Sequence, residues 1–227
     1  MKKSKKVIEL IKQQGMVPLY YHDDREVCFE VAKALYQAGI RFLEFTNRGR
    51  EALTNFKYLL KKRDEQMPDL LLAVGTIKNV SDAKTFIKTG ADSVISPGIV
   101  PGIGEIAHDA GLLWVPGCMT STEIMLAENC DAGLVKLFPG HLLGPGFMSA
   151  IRELFPAMNF MPTGGVKAEP ENLKAWFSAG VCAVGMGSKL ISKEILAGRR
   201  YDELTRLSVE ALGIINEVRT SIHKEKS

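Results

Sequence analysis

The stretch Gly133-Leu-Val-Lys-Leu-Phe-Pro139 is a short apolar run with a lysine at its centre. It is too short for a helix, and glycine and proline punctuate its two ends. Apolar residues in succession, rather than in alternation, mark a parallel strand buried on both faces. Working outward, the same kind of unit recurs at 17–21, 40–46, 70–76, 92–97, 112–116, 159–165 and 181–187. Helical patterns lie between these runs. Residues 26–39 and 79–90 both end on glycine, 121–130 opens with Ser and Thr ahead of Glu, and 169–180 has a proline near its start and a glycine at its end.

Strand–helix alternation at this spacing predicts a parallel sheet, and eight such units predict its closure into an α/β (β/α)8 TIM barrel. The competing architecture is an open doubly wound sheet, which would call for G-x-G-x-x-G after the first strand; no such motif is present. Residues 1–227 read as one domain, with 1–16 an N-terminal helical extension and 201–227 a C-terminal helix and charged tail.

A chain of 227 residues with 46% hydrophobic and 24% charged content can support one sizeable core. Much of the net charge of +3 sits in the ends MKKSKK and HKEKS, which read as solvated tails, so no nucleic-acid partner is expected. No run of eighteen apolar residues argues for a membrane span, and the basic N-terminus lacks the apolar core of a signal peptide. A cytoplasmic protein is expected. Cys28, Cys118, Cys130 and Cys182 are scattered, with no histidine spaced to complete a zinc site; neither a metal nor a cofactor is expected.

In a barrel of this kind chemistry collects at the C-terminal ends of the strands. Lys136 lies near such an end. Apolar surroundings disfavour an ammonium and so supply a neutral amine able to attack a carbonyl. The bland reading, a lysine snorkelling outward or paired with a buried carboxylate, is the weaker one here. Glu44, charged inside the run RFLEFT, is either that ion-pair partner or a proton shuttle beside the lysine, and the two roles are compatible. Arg48 could clamp a carboxylate with its planar fork, and Thr76 offers a hydroxyl beside it. The turns Thr163-Gly-Gly165 and Gly185-Met-Gly-Ser188, at consecutive strand ends, match the recurring phosphate site of these barrels. His108 and His223 read as surface residues, while His141 follows the lysine strand and its role stays open.

Taken in order, E-x-T-x-R (44–48), A-V-G-T (73–76), I-S-P-G (95–98), P-G-C-M-T-S-T-E (116–123), K-L-F-P (136–139) and P-T-G-G-V (162–166) resemble the class I 2-keto-3-deoxy-6-phosphogluconate/4-hydroxy-2-oxoglutarate aldolases. The match runs from about Val17 to Leu190. The resemblance implies a homotrimeric, metal-independent barrel that cleaves a phosphorylated keto-sugar acid to pyruvate and glyceraldehyde 3-phosphate. On it, Lys136 matches the imine-forming lysine and Glu44 the acid/base. Arg48 and Thr76 match the groups holding the pyruvate carboxylate, Pro97 and Phe138 line the pocket, and Gly164, Gly165 and Ser188 match the phosphate site. Gly140-His141 stands where gluconate-specific members often carry Ala-Glu, and Lys189 follows Gly-Ser where they carry Trp. Gly185-Met-Gly-Ser188 and Gly144-Pro-Gly-Phe147 look closer to 6-phosphogalactonate aldolases, which leaves the sugar's stereochemistry open. Two alternatives stand beside the aldolase: a phosphate-binding barrel isomerase or epimerase, and a non-catalytic sugar-phosphate-binding protein.

Overall fold

The computed structural model describes residues 2–226, with side chains for residues 4–224. Nine strand segments alternate with ten helices among these residues. The strands are β1 (Met16–Tyr20), β2 (Phe42–Thr46), β3 (Leu71–Gly75), β4 (Ser93–Ile95), β5 (Leu113–Val115), β6 (Gly117–Cys118), β7 (Leu134–Leu137), β8 (Asn159–Pro162) and β9 (Val184–Met186). Every ladder is parallel. The hydrogen bonds group them into a six-stranded sheet, β5-β4-β3-β2-β1-β9, and a three-stranded sheet, β6-β7-β8.

Two seams join these sheets into a TIM-barrel-like ring, and proline accounts for the first. The expected fifth strand is split at Pro116, which has no N–H to continue a ladder, although its carbonyl still accepts from Lys136 N at 2.9 Å. At the second seam, Pro162 closes β8, and β8 meets β9 through an isolated Thr163–Gly185 bridge and a bond from Cys182 N to Phe160 O of 2.9 Å.

Strand parity divides the apolar core in two. Outward residues such as Leu43, Phe45, Leu72, Val74, Val135 and Leu137 pack beneath the helices. Inward residues such as Val17, Phe42, Ala73, Ile95, Leu134 and Met161 form a second cluster in the lumen. That inner cluster includes Val7, Ile8 and Ile11 from α1 (Lys2–Gln14), so the N-terminal helix plugs one end of the barrel while Lys5 and Lys6 stay exposed. Gln14 ties the plug to the strand edges: its Oε1 accepts from Arg41 N at 2.7 Å and Phe42 N at 3.0 Å.

The helical signals read in the sequence have visible causes. Asp24 caps α2 (Arg25–Gln37), Asn79 caps α4 (Val80–Thr89), and Thr120 with Glu123 forms a capping box on α6 (Ser121–Asn129). Gly90 and Gly180 close α4 and α8 (Pro170–Ala179) in the left-handed conformation. The Gly-Pro-Gly-Phe segment lies within α7 (Gly140–Ile151), which is two helical pieces joined at Gly144, with Pro145 opening the second. The remaining helices are α3 (Ala52–Gln66), α5 (Pro101–Asp109), α9 (Lys193–Ala197) and the long α10 (Tyr201–Lys226). Among the described residues no helix is long and apolar enough to cross a membrane.

Candidate active site

Parity puts Lys136 inside the barrel, because its neighbours Val135 and Leu137 face the helices and Leu134 lies in the lumen core. The same rule turns Glu44 inward from β2. The two side chains meet across the lumen with Nζ to Oε1 at 3.6 Å, and both are almost fully buried. That separation is an ion-pair contact rather than a hydrogen bond. Neither oxygen of Glu44 has a hydrogen-bond partner among the described residues. A buried pair without supporting hydrogen bonds is an expensive way to stabilise a fold, since desolvation costs several kcal/mol per ion by order of magnitude. Open valences at a buried carboxylate are the condition of a group waiting for a ligand or a proton.

Small inward residues make room for this pair. A Cβ on Gly75 of β3 would fall on the Glu44 carboxylate, and one on Gly117 would collide with the Pro97 backbone. The Lys136 ammonium lies 5.3 Å from the Phe138 ring centre, and Phe138 and Pro97 are both half-buried at the C-terminal rim. Thr76 follows Gly75 with φ of 62°, a left-handed conformation that is strained for a β-branched residue. Arg48 is exposed just beyond β2, its N–H bonded to Thr46 O at 2.9 Å, and its guanidinium forms no ion pair among the described residues.

The two glycine turns are neighbours, because the Thr163–Gly185 bridge brings the ends of β8 and β9 together. Gly164 and Gly165 both take positive φ, 97° and 77°, which glycine adopts without strain. Ser188 is exposed in a single turn in which Gly187 O accepts from Leu190 N and Ile191 N, both at 2.9 Å. No helix N-terminus falls at Ser188. α9 starts only at Lys193 and is capped by Ser192, so the serine belongs to the turn before it. His141 packs on the first turn: its N–H donates to Gly164 O at 2.9 Å and its Cβ crowds Gly165. His141 and Lys189 are exposed.

Thr163 is the residue to which no separate role was assigned on sequence. Its hydroxyl is buried without a partner and occupies the space a Cβ on Gly185 would need. The only local hint was its place ahead of two glycines. The histidines bring no ligand set, and among the described residues no three His, Cys, Asp or Glu side chains converge. Burial pushes the Cys28 and Cys118 thiols up to about 12 and Cys182 up to about 11, which keeps them protonated and unreactive.

A parallel α/β barrel with a lysine and a carboxylate buried at its C-terminal end is the framework of a class I aldolase, an enzyme that works through a lysine imine. The family model described as KDPG and KHG aldolase matches residues 7–207, and the chain belongs to that family. A Treponema pallidum protein named 2-dehydro-3-deoxy-phosphogluconate aldolase is 30% identical over 214 residues, covering 92% of this chain and 97% of its own. The KHG/KDPG aldolase of Escherichia coli is 30% identical over 215 residues, covering 93% and 98%. The fold matches that of the Legionella pneumophila KDPG aldolase, solved with pyruvate as a covalent carbinolamine, with a TM-score of 0.82, 24% identity and coverage of 90% and 97%.

The Lys136–Glu44 pair yields a stability test. Lys136→Met and Glu44→Leu should each destabilise the protein by about 3–5 kcal/mol, because each strands a buried charge. The double variant should be more stable than either single one in urea unfolding. A double variant showing the summed loss would mean that the two charges are not coupled.

Proposed function

We propose that the protein cleaves 2-keto-3-deoxy-6-phospho sugar acids of the gluconate or galactonate type to pyruvate and glyceraldehyde 3-phosphate, with Lys136 as the imine-forming residue. The observation that carries this reading is the buried lysine paired with a glutamate whose oxygens have no hydrogen-bond partner among the described residues. The Lys136 amine adds to the C2 carbonyl, and loss of water from the carbinolamine leaves an iminium. The C4 hydroxyl then gives up its proton, the C3–C4 bond breaks, and its electron pair moves into the iminium to leave an enamine. The departing fragment leaves as an aldehyde. Protonation at C3 and addition of water release pyruvate and restore the amine. Glu44, through a water molecule, moves these protons.

In this reading Arg48 and Thr76 hold the carboxylate of the keto acid, and Pro97 and Phe138 wall the pocket. The Thr163 hydroxyl is the donor available to the part of the substrate beyond the lysine. Gly164, Gly165 and Ser188 receive the phosphate through backbone and hydroxyl donors, and His141 flanks that end. Shorter 4-hydroxy-2-oxo acids such as 4-hydroxy-2-oxoglutarate need only the lysine, glutamate and arginine. A homotrimer is part of the same reading. Met119, Met125, Leu126 and Leu142 are exposed apolar residues on the neighbouring ends that follow β6 and β7, and they offer a surface for a second copy.

Sodium borohydride added with pyruvate should attach a three-carbon adduct to Lys136, detected by peptide mass spectrometry. Active enzyme without that adduct at saturating pyruvate would sink the mechanism. Lys136→Arg should be inactive, and Glu44→Gln should lower kcat by about 10²–10⁴-fold. Ser188→Asp should remove the advantage of phosphorylated over unphosphorylated substrates, by repulsion and loss of a donor. Equal losses on both substrate classes would place the phosphate elsewhere. Sedimentation should report three copies, and Leu142→Asp with Met125→Lys should reduce them to one; an unchanged mass would move the interface away from this surface.

A further inference from the structure

Tyr21 takes no part in the chemistry above, yet it grips the loop that carries Arg48 from two sides. It follows β1 directly and is half-buried. Its phenol lies against Gly49, so closely that a Cβ there would coincide with the ring and hydroxyl. Gly49 does not have the positive φ that would by itself demand glycine, so the tyrosine is the reason a side chain cannot stand there. On the other side the ring meets Phe45 of β2, with centroids 5.7 Å apart. The hydroxyl donates to the Asp23 carboxylate.

The segment that presents Tyr21 is itself anchored. Asn55 of α3, only 3% exposed, donates its Nδ2 to His22 O at 3.0 Å and to Asp23 O at 2.8 Å. Thr46 adds a bond from Oγ1 to Tyr20 O at 3.3 Å, and its own carbonyl holds the Arg48 N–H. Residues on both sides of Arg48 are thus pinned, while its guanidinium has no ion-pair partner among the described residues.

We propose that Tyr21 is a positioning residue for Arg48: by packing on Gly49, with its ring against Phe45 and its hydroxyl bonded to Asp23, it fixes the 47–51 loop so that the guanidinium meets the carboxylate of a bound 2-oxo acid. This rests on the reading of Arg48 as the carboxylate-binding group. Burial and the Asp23 bond push the phenol up to about 12, so it remains protonated, and able to donate, wherever the enzyme works.

Pyruvate-dependent inactivation by borohydride gives a half-saturating pyruvate concentration, and cleavage of 2-keto-3-deoxy-6-phosphogluconate gives kcat. Tyr21→Phe keeps the ring and loses the hydrogen bond to Asp23, and should raise half-saturation by about 2–10-fold, the worth of one such bond, with kcat and Tm near wild type. Gly49→Ala, which forces ring and loop apart, should raise it further. In an Arg48→Ala background Tyr21→Phe should add nothing. Wild-type half-saturation in Tyr21→Phe, or full additivity with Arg48→Ala, overturns the proposal. So does a fall in kcat and Tm with half-saturation unchanged, which would mark a merely structural role. Should Arg48→Ala alone leave half-saturation unchanged, the reading of Arg48 fails first, and that result is separate from any effect at Tyr21.

Discussion

A lysine and a glutamate facing each other in a buried lumen, 3.6 Å apart and without supporting hydrogen bonds among the described residues, set the terms for the rest of the structure. Such a pair does not stabilise a fold on its own account. It needs a scaffold whose stability comes from elsewhere and whose geometry leaves it no alternative. The outer core between strands and helices supplies the first, with Phe45, Phe56, Trp114 and Phe160 fully or almost fully buried. Strand parity supplies the second: with Val135 and Leu137 committed to the outer core, Lys136 has nowhere to point but inward.

The lumen is consequently a vessel with one end closed. Toward α1 it is apolar and lined by Val7, Ile8 and Ile11. Toward the opposite end the inward residues become small or polar: Gly75, Gly117, Thr163 and Gly185. Each of these glycines yields space that a neighbour uses, the Glu44 carboxylate at Gly75, the Pro97 backbone at Gly117 and the Thr163 hydroxyl at Gly185. The strained Thr76 sits at the same level. Strain, missing side chains and unpartnered polar atoms gather at the end where the proposed reading has substrate enter, and the apolar packing lies at the other.

What could be read from the chain alone follows from how local each signal is. Strand identity and barrel class were legible because a buried parallel strand is a contiguous run, and a charge inside it stands out; Lys136 and Glu44 announced themselves in this way. The break at Pro116 changes only hydrogen bonding and leaves the apolar pattern intact, so the run 112–116 gave no sign that pairing resumes at Gly117. Thr163 looked like an ordinary turn residue because its isolation arises at a seam with Gly185, twenty-two positions away in the chain. The Tyr21–Gly49 contact has no local signal at all. Gly49 reads as a turn glycine until the tyrosine that forbids any other residue is seen beside it.

The unequal burial of the two cationic groups carries a last consequence. In a 2-oxo acid the carboxylate is bonded directly to the carbonyl carbon that the amine attacks. One molecule held by both Lys136, deep in the lumen, and Arg48, exposed at the rim, therefore requires the guanidinium to lean inward over the mouth when the acid is bound. A long side chain on a free backbone would lose much of the binding free energy in ordering both. In the proposed reading the backbone half of that cost is met in advance, by Thr46 O on one side and by the Tyr21 contact at Gly49 on the other. Only the side-chain torsions remain to be ordered, and the planar fork needs little further adjustment to bind two oxygens at once. The lysine is enclosed by the core that buries it, whereas an arginine exposed at the rim would need a separate brace, which is the role proposed for the network behind the β2 loop.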